Sequence, residues 1–293
     1  MSTRVSTASE TSDWELVVDG IDFGEGPRWH LGRLWFSDFY QGTISSVGHD
    51  RERRVEVEWA GRPSGLGWLP DGRLLFVSML DRRVMRREAD GTIVEHGDLD
   101  GIATGHCNDM VVGLQGNAYV GNFGFDFENG EAPAAATLAI VWADGTVTAA
   151  ADDLLFPNGS VITDDGSTLI VGESMGARYS AFTITRDRGL TDRRIWAEVP
   201  GMAPDGCTID AEGAIWFADA FGKQVVRVRE GGEITDQVPT SDDVYACMLG
   251  GPDGRTLFAL TAAGSHPDVV SGTATGALWQ LDVAIPRTPT SRP

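Results

Sequence analysis

The sequence predicts an all-β protein, a six-bladed β-propeller, and two observations carry this prediction. One unit recurs six times: a few apolar residues, a tight turn with glycine, a run of strand-forming residues, then a second turn and another strand. A repeat of about 40–50 residues is typical of one four-stranded propeller blade. The spacings between successive turn glycines are 40, 44, 50, 47 and 41 residues, for Gly32, Gly72, Gly116, Gly166, Gly213 and Gly254.

The six units follow one another along the chain and leave only short ends. They read RWHLGRLWFSD from Arg28, GWLPDGRLLFVSM from Gly67, VVGLQGNAYVGN from Val111, VITDDGSTLIVGE from Val161, TIDAEGAIWFADA from Thr208 and LGGPDGRTLFALT from Leu249. Glycine supplies the positive φ of a tight hairpin, and the β-branched and aromatic residues after it favour a strand. We expect the N-terminal WELVVDG to pair with the final GALWQLDV, which would close the ring and remove an exposed sheet edge.

These units predict a single propeller domain over residues 13–286. Residues 1–12 are polar without an apolar stretch, which predicts a disordered leader rather than a signal peptide. Residues 287–293 form a C-terminal tail. No window approaches the roughly 18 apolar residues of a membrane span.

The composition argues against several classes of partner. The chain has 23 basic and 43 acidic residues, a net charge of −20, which repels phosphate backbones and anionic lipid headgroups. We therefore expect neither nucleic acid nor membrane as a partner. The three cysteines, Cys107, Cys207 and Cys247, are odd in number and far apart, which argues against a disulfide framework. A cytoplasmic protein, monomeric or weakly homo-oligomeric, fits these features.

A ring of polar residues is predicted at one mouth of the central channel. The innermost strand of each blade begins before the turn glycine, so positions seven or eight residues upstream of each glycine should converge. They are Glu25, Ser64 or Gly65, Asn108, Asn158, Asp205 and Ala246. Four blades thus supply a carboxylate or amide oxygen, a set that suits Ca²⁺ first, Mg²⁺ or Mn²⁺ next, and Zn²⁺ less well. The alternative is that Asn158–Gly159 and Asp205–Gly206 are only turn sequences.

Four segments around these positions resemble a known family. GEGPRW around Glu25, HCNDM around Asn108, FPNGSVI around Asn158 and APDGCTID around Asp205 are similar to the signature segments of the senescence marker protein (regucalcin), gluconolactonase and luciferin-regenerating enzyme family. YACMLGGPD resembles its last-blade segment, so the resemblance extends from about Asp13 to Val283. It implies a six-bladed propeller with one divalent metal and, in some members, hydrolysis of sugar lactones. It also implies Glu25, Asn158 and Asp205 as metal ligands, with Asn108 orienting substrate or water.

One residue departs from that family pattern. Lactonase members often carry arginine two residues before the asparagine that corresponds to Asn108, where it contacts substrate hydroxyls, and this chain has His106 at that position. Imidazole is shorter and can accept a proton. His106 could therefore contact substrate, act as the general base in place of Asp205, or pack as a supporting histidine. The departure puts specificity for aldonolactones in doubt.

Apolar residues are predicted beside the channel mouth. The insertion from Phe123 to Thr137 carries three phenylalanines, including Phe125, and predicts either an apolar flap over the mouth or an outer loop that packs its own rings. Met175, Tyr179 and Phe221 are expected on loops of the same face. Such a lining predicts a lactone less hydroxylated than gluconolactone. The remaining histidines, among them His96 and His266, are expected at the solvated surface.

These features predict a metal-dependent hydrolase that opens a small lactone, with the metal polarising the carbonyl and Asp205 activating water. A second interpretation is an enzyme that hydrolyses organophosphates or other activated esters at the same site. A third interpretation is a non-catalytic propeller that binds metal or a ligand. For the three cysteines, packing as neutral buried residues is favoured over catalysis by a thiol. No G-x-S-x-G, dinucleotide-binding or P-loop motif occurs.

Overall fold

The computed structural model describes residues 14–288 as six four-stranded antiparallel sheets, the six blades of the predicted propeller. The predicted leader and residues 289–293 of the predicted tail lie outside the described residues. Within residues 14–288, no helix has both the length and the apolar character needed to cross a bilayer.

Each of the first five blades is built from four consecutive strands, counted from the channel outwards. After β1 (Glu15–Ile21), blade 1 contains β2 (Gly24–His30), β3 (Arg33–Asp38), β4 (Thr43–Val47) and β5 (Arg53–Glu58). Blade 2 contains β6 (Pro63–Trp68), β7 (Leu74–Ser78), β8 (Arg83–Arg87) and β9 (Ile93–Asp98), and blade 3 contains β10 (Cys107–Val112), β11 (Ala118–Asn122), β12 (Ala136–Val141) and β13 (Val147–Leu154). Blade 4 contains β14 (Pro157–Ile162), β15 (Thr168–Glu173), β16 (Arg178–Ile184) and β17 (Leu190–Glu198). Blade 5 contains β18 (Pro204–Ile209), β19 (Ile215–Asp219), β20 (Gln224–Val228) and β21 (Ile234–Pro239).

The sixth blade joins the two ends of the described chain. It contains β22 (Asp243–Gly250), β23 (Thr256–Ala262) and β24 (Gly276–Asp282), and β1 completes it as the outermost strand. Strand β1 pairs antiparallel with β24, with Leu16 opposite Trp279 and Ile21 opposite Gly276. The predicted closure is therefore confirmed, and it satisfies a sheet edge that would otherwise be open to another chain.

The predicted turn glycines lie between the first and second strands of their blades. Their φ angles are all positive, from 70° at Gly166 to 87° at Gly72. Because a side chain at such an angle is strained, glycine relieves each hairpin at its tightest point. A fixed turn sets the register of each innermost strand, so equivalent residues of different blades face the same end of the channel.

Apolar side chains fill the spaces between neighbouring blades. Tyr179 shows this arrangement: it is fully buried in β16, and its ring packs edge-on against Trp196 and Phe217. The expectation that Tyr179 lies on a mouth loop was wrong, because the strand resumes at Arg178 directly after the turn Ser174–Gly176. His96 was also expected at the surface, but it is buried in β9 beside Arg86.

Candidate metal centre and active site

The polar ring residues occupy equivalent positions at the start of the innermost strands. Glu25, Asn108, Asn158 and Asp205 are each the second residue of β2, β10, β14 and β18. All four are buried, with between 3% and 7% of each residue exposed. The structure therefore brings together at one end of the channel the four oxygen-bearing side chains that the repeat placed at one offset.

The glycines that follow the ring residues allow the innermost strands to approach each other. A Cβ added to Gly159 would lie 2.3 Å from the Asp205 carbonyl oxygen, and one added to Gly206 would lie 2.6 Å from Ala246 Cβ. Both glycines lie within strands, β14 and β18, so the alternative that they are turn sequences is wrong. They are needed because the neighbouring innermost strands approach these two positions too closely for a side chain to fit.

Hydrogen bonds link the ring residues across blades. Asn108 Nδ2 donates to Asn158 Oδ1 at 2.9 Å, and Ser64 Oγ donates to Asn108 Oδ1 at 3.4 Å. Asn158 Nδ2 in turn donates to Ser174 Oγ at 3.3 Å, and that hydroxyl donates to the Pro204 carbonyl at 2.6 Å. Both amides are oriented by neighbouring blades, which holds their oxygens at the base of the mouth.

The two ring carboxylates are in an environment that opposes their ionisation. Burial raises the pKa of Glu25 well above its ordinary value, and the nearby Asp205 carboxylate raises it further. Burial likewise raises the pKa of Asp205, with a contribution from Asp109. Among the residues that the structure describes, the Gly26 amide alone favours the charged form of Glu25 by a close hydrogen bond, which it donates to Oε2 at 2.9 Å. When both carboxylates are ionised, two like charges share a buried site and repel each other.

The donor set fits a hard divalent cation. Within residues 14–288, Asp205 Oδ1 is buried and has no hydrogen-bond partner, a costly state for a carboxylate oxygen unless a ligand completes it. A cation between Glu25 and Asp205 would offset their repulsion, and the Asn158 oxygen adds a third hard donor. The described residues contain no group of three or more His, Cys, Asp and Glu side chains suited to a metal, because this set combines two carboxylates with amides.

A buried ion pair lies below the ring. Arg28 Nη2 is 2.9 Å from Asp109 Oδ1, and their side chains are 5% and 3% exposed. Arg28 Nη1 also donates to the Pro27 carbonyl at 2.8 Å. The guanidinium pairs with Asp109, and its lowering of the Glu25 pKa is small beside the effect of burial, which raises that pKa. The pair forms a polar floor and leaves the charge of the two ring carboxylates uncompensated.

A cavity of about 410 Å³ opens above the ring, and Glu25, Asn108, Asn158 and Asp205 all line it. Most of its wall is apolar, from Phe23, Phe39, Tyr40, Met79, Phe123, Phe127, Phe156, Met175, Phe221 and Tyr245. Phe123, Met175 and Phe221 thus lie where the sequence placed them, and Phe221 is 80% exposed at the rim. A volume of this size accommodates a small-molecule substrate.

Two other expected lining residues are absent from the cavity wall. His106 is half-buried beside Phe123, with 6.2 Å between ring centroids, and burial lowers its pKa. Phe125 is 3% exposed and packs against Phe127 and Phe156 behind the wall. Neither His106 nor Phe125 is among the side chains that line the cavity, and their predicted contacts with substrate stay predictions.

The insertion combines both predicted arrangements. It connects β11 to β12 through residues 123–135 and contributes Phe123 and Phe127 to the cavity. The Phe123 ring also stacks on Phe156 of the next blade at 4.4 Å between centroids, so the loop packs its own rings as it covers the mouth. Sequence reasoning missed Phe156, although it lies two residues before Asn158, the offset that separates His106 from Asn108.

The sequence analysis also did not identify four polar or charged residues that line the cavity. Arg62, Glu128, Asp243 and His266 all contribute to the wall. His266 precedes the short helix α1 (Pro267–Val270) and accepts a hydrogen bond from the Asp268 amide at 3.3 Å.

The three cysteines are buried free thiols. Burial raises the pKa of Cys107 and that of Cys207 to about 12, so both remain protonated at neutral pH. A neutral thiol is a poor nucleophile and a poor metal ligand, and packing accounts for these residues.

The chain matches known proteins over nearly its whole length. The sequence model described as SMP-30/Gluconolactonase/LRE-like region matches residues 23–263. A pentonolactonase of Haloferax volcanii is 30% identical over 288 residues, covering 92% of this chain and 94% of the relative. A solved gluconolactonase from Xanthomonas campestris has a TM-score of 0.75 at 23% identity, covering 97% of this chain and 94% of that one. The calcium-binding protein regucalcin from Agrobacterium tumefaciens has a TM-score of 0.78 at 20% identity, covering 95% of each chain. The two solved structures share the propeller fold.

Proposed function

This chain belongs to the SMP-30/gluconolactonase/LRE-like family, and on that premise we propose that it is a metal-dependent hydrolase of a small lactone. One observation carries the proposal: the buried carboxylates of Glu25 and Asp205 meet at the base of an open cavity, and Asp205 Oδ1 has no partner among the described residues. The similarity to a pentonolactonase supports a cyclic ester as the substrate.

Glu25, Asn158 and Asp205 would hold one divalent ion. Their hard oxygen donors favour Ca²⁺, with Mn²⁺, Mg²⁺ or Zn²⁺ as alternatives. The similarity to a calcium-binding regucalcin is consistent with that order. When bound, such an ion would polarise an ester carbonyl and make a water molecule more acidic.

Asp205 is our candidate for the general base. A carboxylate that holds the ion through one oxygen can accept, through its other oxygen, a proton from a water molecule in the cavity as that water attacks the lactone carbonyl carbon. A new carbon–oxygen bond forms, the ring carbon–oxygen bond breaks, and the departing ring oxygen takes up a proton to give an open hydroxy acid. We favour Asp205 over His106 because Asp205 lines the cavity and His106 does not.

Asn108 and the apolar wall would position the substrate. Asn108 is fixed between Ser64 and Asn158, which leaves its amide at the cavity surface to orient the lactone or the water. Phe123, Met175 and the exposed Phe221 would contact the body of the substrate. The apolar character of this wall supports a lactone less hydroxylated than gluconolactone, since each polar substrate group placed against apolar side chains loses its hydration.

The buried free thiols support a reducing compartment, and we place the protein in the cytoplasm. That it acts as a monomer or weak homo-oligomer stays a prediction.

The proposal is tested with metal-stripped protein refilled separately with Ca²⁺, Mn²⁺, Mg²⁺ and Zn²⁺, and assayed on sugar lactones and alkyl-substituted lactones. We expect turnover to require metal and to be lost in Asp205→Asn, which keeps the side-chain volume but removes the base. Asp144→Asn, in a surface turn of blade 3, is the matched control and should behave as wild type. Full activity of Asp205→Asn would remove Asp205 from the mechanism. Metal binding without turnover of any lactone would favour ester or phosphotriester substrates or a binding role.

A further inference from the structure

The residues that immediately precede the innermost strands form a second ring above the first. In blades 1 to 5 they lie two positions before the ring residues and are Phe23, Arg62, His106, Phe156 and Ala203. Four of them line the cavity, and His106 is the exception. His106, at the position where the family often carries arginine, is thus one of five equivalent positions in blades 1 to 5. In this chain the arginine of that set is Arg62, in blade 2.

Arg62 is directed into the mouth by an unusual backbone. Its φ is +57°, and Phe156, at the equivalent position in blade 4, has a φ of +58°. Both residues precede a proline, and a left-handed conformation is costly for a residue with a side chain. The Arg62 carbonyl is held by the Met79 amide at 3.0 Å, which secures this conformation.

The Arg62 guanidinium lies between two side chains from other blades. Its Nη1 forms an ion pair with Glu128 Oε1 of the insertion, and their side chains are 21% and 23% exposed. Its other side faces the Tyr40 ring, 5.0 Å from the ring centroid, and the Tyr40 hydroxyl donates to the Ser265 carbonyl at 2.8 Å. Glu128 and the Tyr40 ring, which is itself held by Ser265, therefore restrict the guanidinium to one place on the wall.

The pairing determines what this part of the wall can bind. Among the described residues that line the cavity, Arg62 is the only arginine or lysine, and Glu128 compensates its charge. A compensated pair has little excess charge to attract an anion. Guanidinium N–H groups and carboxylate oxygens together can, however, donate to and accept from one hydroxyl group at the same time.

We propose that Arg62 and Glu128 form a specificity-determining pair that binds a hydroxyl group on the substituent of the lactone. The pair would supply from blade 2 the guanidinium that is missing at His106, and it would face the apolar wall formed by Phe123 and Phe156. The inference rests on the proposed function and narrows its substrate class to a lactone with an apolar body and at least one hydroxyl at the mouth.

The test compares two substrates in each variant: a polyhydroxylated 1,4-lactone and unsubstituted γ-butyrolactone. In Arg62→Ala, the ratio of kcat/KM for the hydroxylated over the unsubstituted lactone should fall about 10- to 100-fold, the value of a hydrogen bond to a charged group. Glu128→Gln should lower the same ratio to a smaller extent. The matched control is Arg82→Ala: Arg82 also has a left-handed backbone (φ +51°) and pairs with Asp100, but it does not line the cavity. Its ratio should remain that of wild type.

Binding separates this inference from the proposed function. The lactam analogue of the hydroxylated lactone keeps the hydroxyls but resists hydrolysis, and calorimetry should show it binding about 10- to 100-fold more weakly to Arg62→Ala than to wild type. That loss would support the hydroxyl site even if no lactone were turned over. The inference would be overturned if Arg62→Ala left the ratio of kcat/KM for the two lactones unchanged, whether or not both values fell. Equal binding of the lactam by Arg62→Ala and wild type would also overturn it.

Discussion

Replacing Gly159 by alanine should separate β14 and β18, the strands that carry Asn158 and Asp205, without changing any proposed metal ligand. The added Cβ would lie 2.3 Å from the Asp205 carbonyl oxygen and 2.7 Å from the Cys207 amide nitrogen. Ordinary contacts begin at 3.4 Å, so β14 and β18 must move apart by about 1 Å (3.4 minus 2.3). Because Asn158 and Asp205 adjoin this contact, the movement acts directly on the distance between two proposed ligands.

Both stability and function should therefore fall. Overpacking of this kind costs about 1–3 kcal/mol, which corresponds to a Tm lower by about 2–5 °C in a domain of this size. A displacement of about 1 Å at a reacting centre can cost about 100-fold in rate, and metal affinity should fall with it.

Calcium titration calorimetry, thermal denaturation and lactone turnover together measure these effects. Gly101→Ala is the matched control, because a Cβ at Gly101 meets no atom within 4 Å. It should keep the Tm, metal affinity and rate of wild type. If Gly159→Ala binds calcium as tightly as wild type while its Tm falls, the close contact of β14 and β18 does not position the metal ligands. Unchanged values of all three quantities would refute the steric reasoning itself.

Three further outcomes follow from the site. Asp109→Ala should lose about 3–5 kcal/mol of stability, because it leaves Arg28 charged and unpaired below the ring, and a Tm unchanged in thermal denaturation would contradict that role. Calcium at 100 times its Kd should stabilise metal-free protein by about 2.7 kcal/mol, and differential scanning fluorimetry should show no such shift for Asp205→Ala, which removes the ligating oxygens; a full shift would exclude Asp205 as a ligand. Phe221→Ala should raise the KM of alkyl-substituted lactones about threefold to tenfold at constant Tm, whereas Ile195→Ala, exposed on β17, should not. Equal KM values for the two variants would place Phe221 outside the substrate site.

The architecture and the base of the site could be predicted from the sequence because they depend on local and periodic features. Each turn glycine indicates a positive φ within its own hairpin, and the β-branched and aromatic residues after Gly72 or Gly213 indicate a strand. Six repeats of that unit determine six blades, and a constant offset from each glycine determines which residues share a level of the channel. Glu25, Asn108, Asn158 and Asp205 were therefore found together, although their roles as ligands and base stay predictions.

The cavity wall was decided by contacts between blades, which no single repeat encodes. Tyr179 was expected on the mouth and is buried against Trp196 and Phe217, because the direction of its side chain depends on where β16 resumes. His106 and Arg62 occupy equivalent positions in sequence, yet only Arg62 lines the cavity. Its ion pair with Glu128 joins residues 66 positions apart on different blades. Such contacts form only when neighbouring blades pack together, since the separation and tilt of those blades set which side chains meet across the mouth.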